Sequence, residues 1–206
     1  MDLYALFSQC LKVRYTKVGI SANYAFKREG ETLRIYFEDS DGAHDWKRNL
    51  DFPAKPYKRM QKTVWFAHRG FLKEWKEIEP SLANEIADTS VKKVIIAGYS
   101  HGAAIAVLCH EYVWYRRPDL RKTLQGYGFG CPRVFWGIRT PDLQRRWENF
   151  LVIRNLDDLV THLPPAFLGY SHVGKLCKIG KRGKYSSIQA HYSANILQEL
   201  ASYEKP

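Results

Sequence analysis

Cysteine is scarce in this 206-residue chain, which has four copies. Cys10, Cys109, Cys131 and Cys177 form no Cys-x-x-Cys pair and no metal-ligand spacing, which argues against a disulfide framework, a zinc site or a thiol-redox motif. Neither a metal nor an organic cofactor is implied. No apolar run approaches the ~20 residues that cross a bilayer. Met1 to Tyr15 carries Asp2 near its start and charges at Lys12 and Arg14. It lacks the basic segment followed by a clean apolar stretch that marks a secretory leader. The expectation is a cytoplasmic protein with free thiols. Internal repeats, low-complexity tracts and Gly/Ser/Pro-rich linkers are missing as well. Residues 1–206 are therefore expected to form one domain, a length ample for one core and short for two.

Charge of one sign is in excess but not concentrated. Lys plus Arg outnumber Asp plus Glu by 32 to 21, a formal net charge of +11. Such a balance favours solubility and weak attraction to anionic partners, among them an anionic membrane surface. No nucleic-acid-binding motif accompanies it, so a nucleic-acid partner is not expected. The tightest basic cluster, Lys175, Lys178, Lys181, Arg182 and Lys184, reads as a solvated turn. Aromatic residues reach 14%, enough both to fill a core and to line an apolar cleft.

The pattern along the chain is one of alternating elements. Residues 1–16 read as a helix, and Ala22 to Lys27 and Thr32 to Glu38 as a hairpin turning at Glu29-Gly30-Glu31. Asp41-Gly42 marks a further turn, Pro53 and Pro56 a loop, and Thr63 to Ala67 a short strand. Phe71 to Ala87 has helical spacing, with Pro80 as a kink or restart. Val91 to Ala97 is a β-branched run suited to a buried parallel strand. Ala103 to Tyr115 reads as a buried helix, Leu124 to Gly130 as a strand, and Pro141 to Glu148 as a helix capped by Thr140. Phe150 to Arg154 and Lys175 to Ile179 read as strands, and Ile188 to Tyr203 as a final helix. Such alternation predicts an α/β fold with a central, mostly parallel sheet flanked by helices.

Between the β-branched run and the Ala-rich helix lies Gly98-Tyr99-Ser100-His101-Gly102. A chance Gly-x-Ser-x-Gly arises in about one chain in fifteen of this length, so its surroundings carry the weight. A strand before and a helix after are what a nucleophilic serine on a sharp turn requires. A serine there meets the helix N-terminus, whose dipole and N–H groups favour a developing oxyanion. Such a serine needs a histidine base and a carboxylate that orients it, in the order serine, acid, histidine. His162, His172 and His191 follow Ser100 at workable distance, whereas His110 lies on the same helix. His191, near the C-terminus, sits where such a base usually enters. Asp157 and Asp158 follow a strand end, where sites of open sheets collect.

Several motifs, in order, resemble the class 3 (fungal-type) lipases, whose fold is the α/β-hydrolase fold. The family's Gly-His-Ser-Leu-Gly-Gly-Ala is similar to Gly98 through Ala104. Its Val-His-x-Gly-Phe resembles Ala67-His68-Arg69-Gly70-Phe71, and its Phe-Gly-Ser-Pro-Arg-Val resembles Phe129-Gly130-Cys131-Pro132-Arg133-Val134. Asn155-Leu156-Asp157-Asp158-Leu159-Val160-Thr161-His162-Leu163-Pro164-Pro165 is similar to its Asn-x-x-Asp-x-Val-Pro-x-Leu-Pro-Pro. Tyr170-Ser171-His172-Val173-Gly174 resembles a Tyr-x-His-x-Gly whose histidine is structural, and Ala190-His191-Tyr192-Ser193-Ala194 loosely matches the final Asp-His-x-x-Tyr. The resemblance implies a catalytic set of Ser100, Asp158 and His191. Its register picks Asp158 over Asp157.

The resemblance also implies an oxyanion hole made by Ser40 and the backbone N–H of His101. This chain departs from the family there. Where the family has Phe-Arg-Gly-Ser/Thr it carries Phe37-Glu38-Asp39-Ser40, and a carboxylate beside a developing oxyanion is unfavourable unless solvated or paired. The segment at the family's lid, Gly42 to Leu50, is short and mostly polar around Trp46, with little to gain at an oil surface. The expected function is hydrolysis of lipid-type carboxylic esters through an acyl-enzyme, on soluble or monomeric substrates. The alternatives are a phospholipase or lysophospholipase acting on anionic lipid, and a catalytically impaired hydrolase fold serving as a binding module.

Overall fold

A computed structural model of the chain describes residues 1–18, 22–38, 53–59 and 62–203. In chain order the elements are α1 (Leu3–Lys12), β1 (Thr16–Val18), β2 (Ala22–Glu29), β3 (Thr32–Phe37), β4 (Ala54–Arg59), β5 (Lys62–His68) and α2 (Arg69–Ala87). They continue with β6 (Lys93–Tyr99), α3 (His101–Arg116), β7 (Leu124–Phe129), β8 (Phe135–Trp136), α4 (Pro141–Arg145), β9 (Phe150–Asn155), β10 (Tyr170–Ser171), β11 (Lys175–Ile179) and α5 (Ser193–Ala201).

Seven strands form a central sheet in the order β1-β2-β3-β6-β7-β9-β11. The pairings from β3 to β11 are parallel, while β1 and β2 add an antiparallel edge. Period-2 alternation sends neighbouring residues to opposite faces, and here both faces are covered. Leu33, Ile35, Val94, Ile96 and Val152 enter a core with α2 and α3. Tyr36, Ile95, Ala97 and Ile153 enter a second core with α1 and α5. That two-sided burial is why β6 reads as an unbroken apolar run rather than an alternating one. α3 is buried from His101 through Val113, because it packs on β3, β6 and β7 and beneath α2. A helix apolar on every side can be stable only in such a place.

The second sheet, antiparallel in the order β10-β8-β5-β4, was not anticipated. β8 and β10 are two residues long, too short to leave a periodic signal. Pro53 to Pro56, expected as a loop, runs into β4 instead. β4 lies at the edge of its sheet, where the missing proline N–H disrupts no ladder. Pro80 neither ends nor restarts α2, which continues through it for 19 residues. The expected last helix divides into a 3-10 turn, Gln189–His191, an extended Tyr192, and then α5. That division aims His191 back at the sheet. No described helix is long and apolar enough to cross a membrane.

Candidate active site

Ser100 stands between β6 and α3 with φ 53° and ψ −121°. It is the one described non-glycine residue with positive φ. Such a conformation costs about 1–3 kcal/mol and persists only where its surroundings over-determine it. The surroundings are tight. A Cβ on Gly98 would lie 2.3 Å from the Gly102 carbonyl oxygen, and one on Gly102 would lie 2.4 Å from the carbonyl oxygens of Phe37 and Glu38. Both glycines are thus demanded by close backbone approach. The Ser100 amide donates to the Phe129 carbonyl (2.8 Å), which pins the turn to β7.

Three distant segments converge here. His191 Nε2 lies 2.8 Å from Ser100 Oγ, and His191 Nδ1 lies 2.9 Å from Asp158 Oδ2. Ser100, His191 and Asp158 are 5%, 3% and 0% exposed, so their polar atoms meet each other rather than solvent. A carboxylate can only accept, so Nδ1 carries the proton and Nε2 is left to accept from the serine hydroxyl.

Each member is held in turn. The second Asp158 oxygen accepts from the Val160 amide (2.9 Å), and the Thr161 hydroxyl donates to the Asp158 carbonyl (2.8 Å). Tyr99 stacks on the His191 ring at 5.3 Å, and its hydroxyl donates to the His191 carbonyl (2.6 Å). Asn155 Nδ2 donates to the Ala190 carbonyl (3.0 Å). Gly130 has φ 58°, and a Cβ there would come within 2.7 Å of His191 Cε1, so only glycine leaves the imidazole its space. Tyr99, Asn155 and Gly130 were not expected as site residues. Their signals were the variable position before the serine, the first residue of the Asn-x-x-Asp motif, and a glycine at a strand end.

The competing residues fall elsewhere. Asp157 is half-buried and accepts from the Gly183 amide (2.6 Å). His172 Nε2–H donates to the Thr161 carbonyl (2.8 Å), and burial pushes this imidazole down to about 4. His162 is exposed, and neither it nor His172 is hydrogen-bonded to Ser100. His110 is sealed inside α3, where burial lowers it to about 3. Ser40 and Gly42 to Leu50 lie outside the described residues. Glu38, at the end of β3, is described and its side chain is exposed. The four cysteines are free and buried. Burial pushes the Cys10 thiol up to about 12 and raises Cys131 also, so neither offers a thiolate nucleophile.

A further buried pair borders Ser100. His101, the first residue of α3, places Nε2 2.5 Å from Glu74 Oε2 on α2. The Phe71 ring meets the His101 ring edge-on at 5.0 Å. This pair ties the turn that carries Ser100 to α2. Nothing in the spacing of the two residues announces it.

Residues 35–168 match the family model described as Lipase (class 3). A lipase of Rhizomucor miehei is 30% identical over 156 residues, covering 70% of this chain and 41% of that protein. The secreted mono- and diacylglycerol lipase 1 of Fusarium solani is 25% identical over 161 residues, covering 76% of this chain and 46% of that protein. The chain thus spans less than half the length of these two relatives. A solved fungal lipase–inhibitor complex superposes with a TM-score of 0.72 at 22% identity, over 91% of this chain and 82% of that one. The expected α/β-hydrolase fold is the fold they share.

Proposed function

The chain belongs to the class 3 lipase family, and from that premise we propose that it hydrolyses lipid-type carboxylic esters through an acyl-enzyme. One observation carries the reading. A single buried imidazole bridges Ser100 Oγ and Asp158 Oδ2 at 2.8 and 2.9 Å. In this reading His191 takes the Ser100 proton as Oγ attacks the acyl carbon, and the C–O bond to the leaving alcohol breaks as His191 returns that proton. Water then attacks the acyl-enzyme by the same route in reverse, releasing the acid and the free serine. Asp158 holds the tautomer and stabilises the imidazolium. The N–H of His101, beside the helix N-terminus, and the hydroxyl of Ser40 receive the oxyanion.

The test compares wild type with Ser100→Ala on a short-chain p-nitrophenyl ester, with thermal unfolding as the control for folding. Equal rates remove Ser100 from the role. Labelling by a fluorophosphonate separates this reading from a non-catalytic binding module, which leaves Ser100 unmodified. The polar segment Gly42 to Leu50 supports soluble or monomeric substrates. A steep rise in rate as the ester passes its solubility limit overturns that preference.

Residues 1–206 are read as one domain, since both cores use the same central sheet. Limited proteolysis that releases a stable folded piece counts against it. Four free, buried thiols support a cytoplasmic location, while the relatives named as secreted lipases point outside the cell. Recovery of the native protein from the medium rather than from the cell overturns the cytoplasmic reading.

A further inference from the structure

We infer that the cationic cluster formed by Arg133, Arg154, Lys178 and Arg182, beside the Asp158 turn, binds a phosphate group carried on the ester substrate. The inference rests on the hydrolase reading only for the identity of what carries the phosphate. The site itself stands on the pairing of Arg154 with Lys178 across β9 and β11, the carbonyls that hold Arg133, and the unpartnered Arg154 Nε.

Arg154 on β9 and Lys178 on β11 are register partners in the parallel pairing of these strands. Partners at matched positions face the same side, about 4.8 Å apart across the ladder. Cys177 and Ile179 enter the core on the opposite face, so Lys178 and Arg154 share the other one. Arg133 reaches the same region. Its Nη1 donates to the carbonyls of His162 and of Pro164, the latter at 2.8 Å. His162 senses three of these guanidinium charges. Burial lowers its imidazole first, Arg154, Arg133 and Arg182 lower it further, and the Asp158 charge opposes them. Burial lowers Arg133 as well, and the Arg154 charge lowers it further.

What makes the cluster informative is that its cations lack a salt-bridged partner. Among the described residues none of the four cations forms an ion pair. The nearby carboxylates are committed elsewhere, Asp158 to His191 and Asp157 to the Gly183 amide. Arg154 Nε is buried without a hydrogen-bond partner. Like charges gathered around a half-buried guanidinium are unfavourable unless an anion joins them. A phosphate suits that place, because its oxygens match guanidinium forks and add charge-assisted hydrogen bonds. Lys184, by contrast, pairs with Glu199. The basic stretch that reads in sequence as one solvated turn therefore divides, and only part of it joins this cluster. Its position at the C-terminal ends of β9 and β11 is where open parallel sheets take their ligands.

Calorimetry with inorganic phosphate, and co-sedimentation with phosphatidylcholine vesicles with and without phosphatidic acid, test the site. Wild type and Ser100→Ala are expected to bind phosphate alike, which separates this site from the hydrolytic one. Arg154→Gln should weaken phosphate binding at least tenfold. Lys178→Gln and Arg182→Gln, at exposed positions that fold independently of the buried Arg154 Nε, should weaken it several-fold. Lys122→Gln removes the same charge at a distant exposed site and should change nothing. Vesicle binding should depend on phosphatidic acid and fall in the same variants. Equal phosphate binding in wild type, Arg154→Gln, Lys178→Gln and Lys122→Gln overturns the site. Phosphate binding that the variants lose, with vesicle binding they retain, overturns the lipid assignment and gives the site to soluble phosphate compounds.

Discussion

Mild acid should destabilise this fold before most of its carboxylates are protonated, and two histidines, the buried His110 and the half-buried His172, set the size of the effect. His110 lies within α3, 1% exposed, edge-on to Phe150 at 5.3 Å. Burial pushes its imidazole down from 6.5 to about 3, and the Arg146 backbone offsets only part of that. Burial likewise lowers His172 to about 4, opposed by the Thr161 carbonyl and assisted by the charges of Arg133 and Arg154. The unfolded chain takes up a proton at each near pH 6.5. The folded chain does so only near pH 4 and pH 3. In the window between, protons favour the unfolded state. The stability of the neutral forms is complete above about pH 6.5 and falls by about 1.4 kcal/mol per pH unit for each group below it. Between pH 7 and pH 5 each histidine then removes about 2 kcal/mol, and the two together about 4. That is a large part of the 5–15 kcal/mol that typically holds a domain together.

The assay is urea unfolding at pH 7, 6 and 5, followed by tryptophan fluorescence. His110→Leu fills comparable space without titrating. Its stability at pH 7 can shift through packing, so the slope is the quantity to read. Between pH 6 and 5 the slope should fall by about 1.4 kcal/mol per pH unit relative to wild type. Parallel slopes in the two proteins would refute the argument, because they would mean that His110 titrates alike in both states.

Other perturbations isolate other parts of the design. Asp158→Asn keeps the shape of the carboxyl group but lets His191 adopt the wrong tautomer, so kcat for ester hydrolysis should drop by about 10⁴ with little change in KM; a loss below tenfold counts against the role. Ser100→Gly relieves the positive φ and should be more stable than Ser100→Ala by about 1–2 kcal/mol in denaturant unfolding; equal stabilities would mean that the turn stores no strain. Arg146→Ala strips the guanidinium that sits 2.6 Å from the fully buried Glu111 carboxylate. It should cost about 3–5 kcal/mol, and adding Glu111→Leu should recover much of it. A single-variant loss under 1 kcal/mol goes against that pairing.

Ser100, the two glycines around it, Asp158 and His191 are legible in the sequence, because each is tied to a local pattern. The β-branched run and the Ala-rich helix framed the serine, and ordered motifs chose among the acids and histidines. Local periodicity also revealed the parallel strands, since burial on both faces leaves an apolar run that sequence cannot hide. The antiparallel sheet of β4, β5, β8 and β10 was not legible. Its two-residue strands are defined by partners far along the chain, not by their own pattern.

The sequence by itself determined the sharp turn that carries Ser100, because covalent neighbours and strand–helix periodicity specify it. Tertiary structure alone decided how His191, already favoured by the order of the motifs, is aimed at Ser100, since a break between a 3-10 turn and α5 sets its direction. It also decided that Glu74 reaches His101 and that Lys178 stands beside Arg154. Those contacts join residues 24 to 27 positions apart. Distances of that kind are set by how strands order and helices pack, and nothing in the spacing of the chain encodes them.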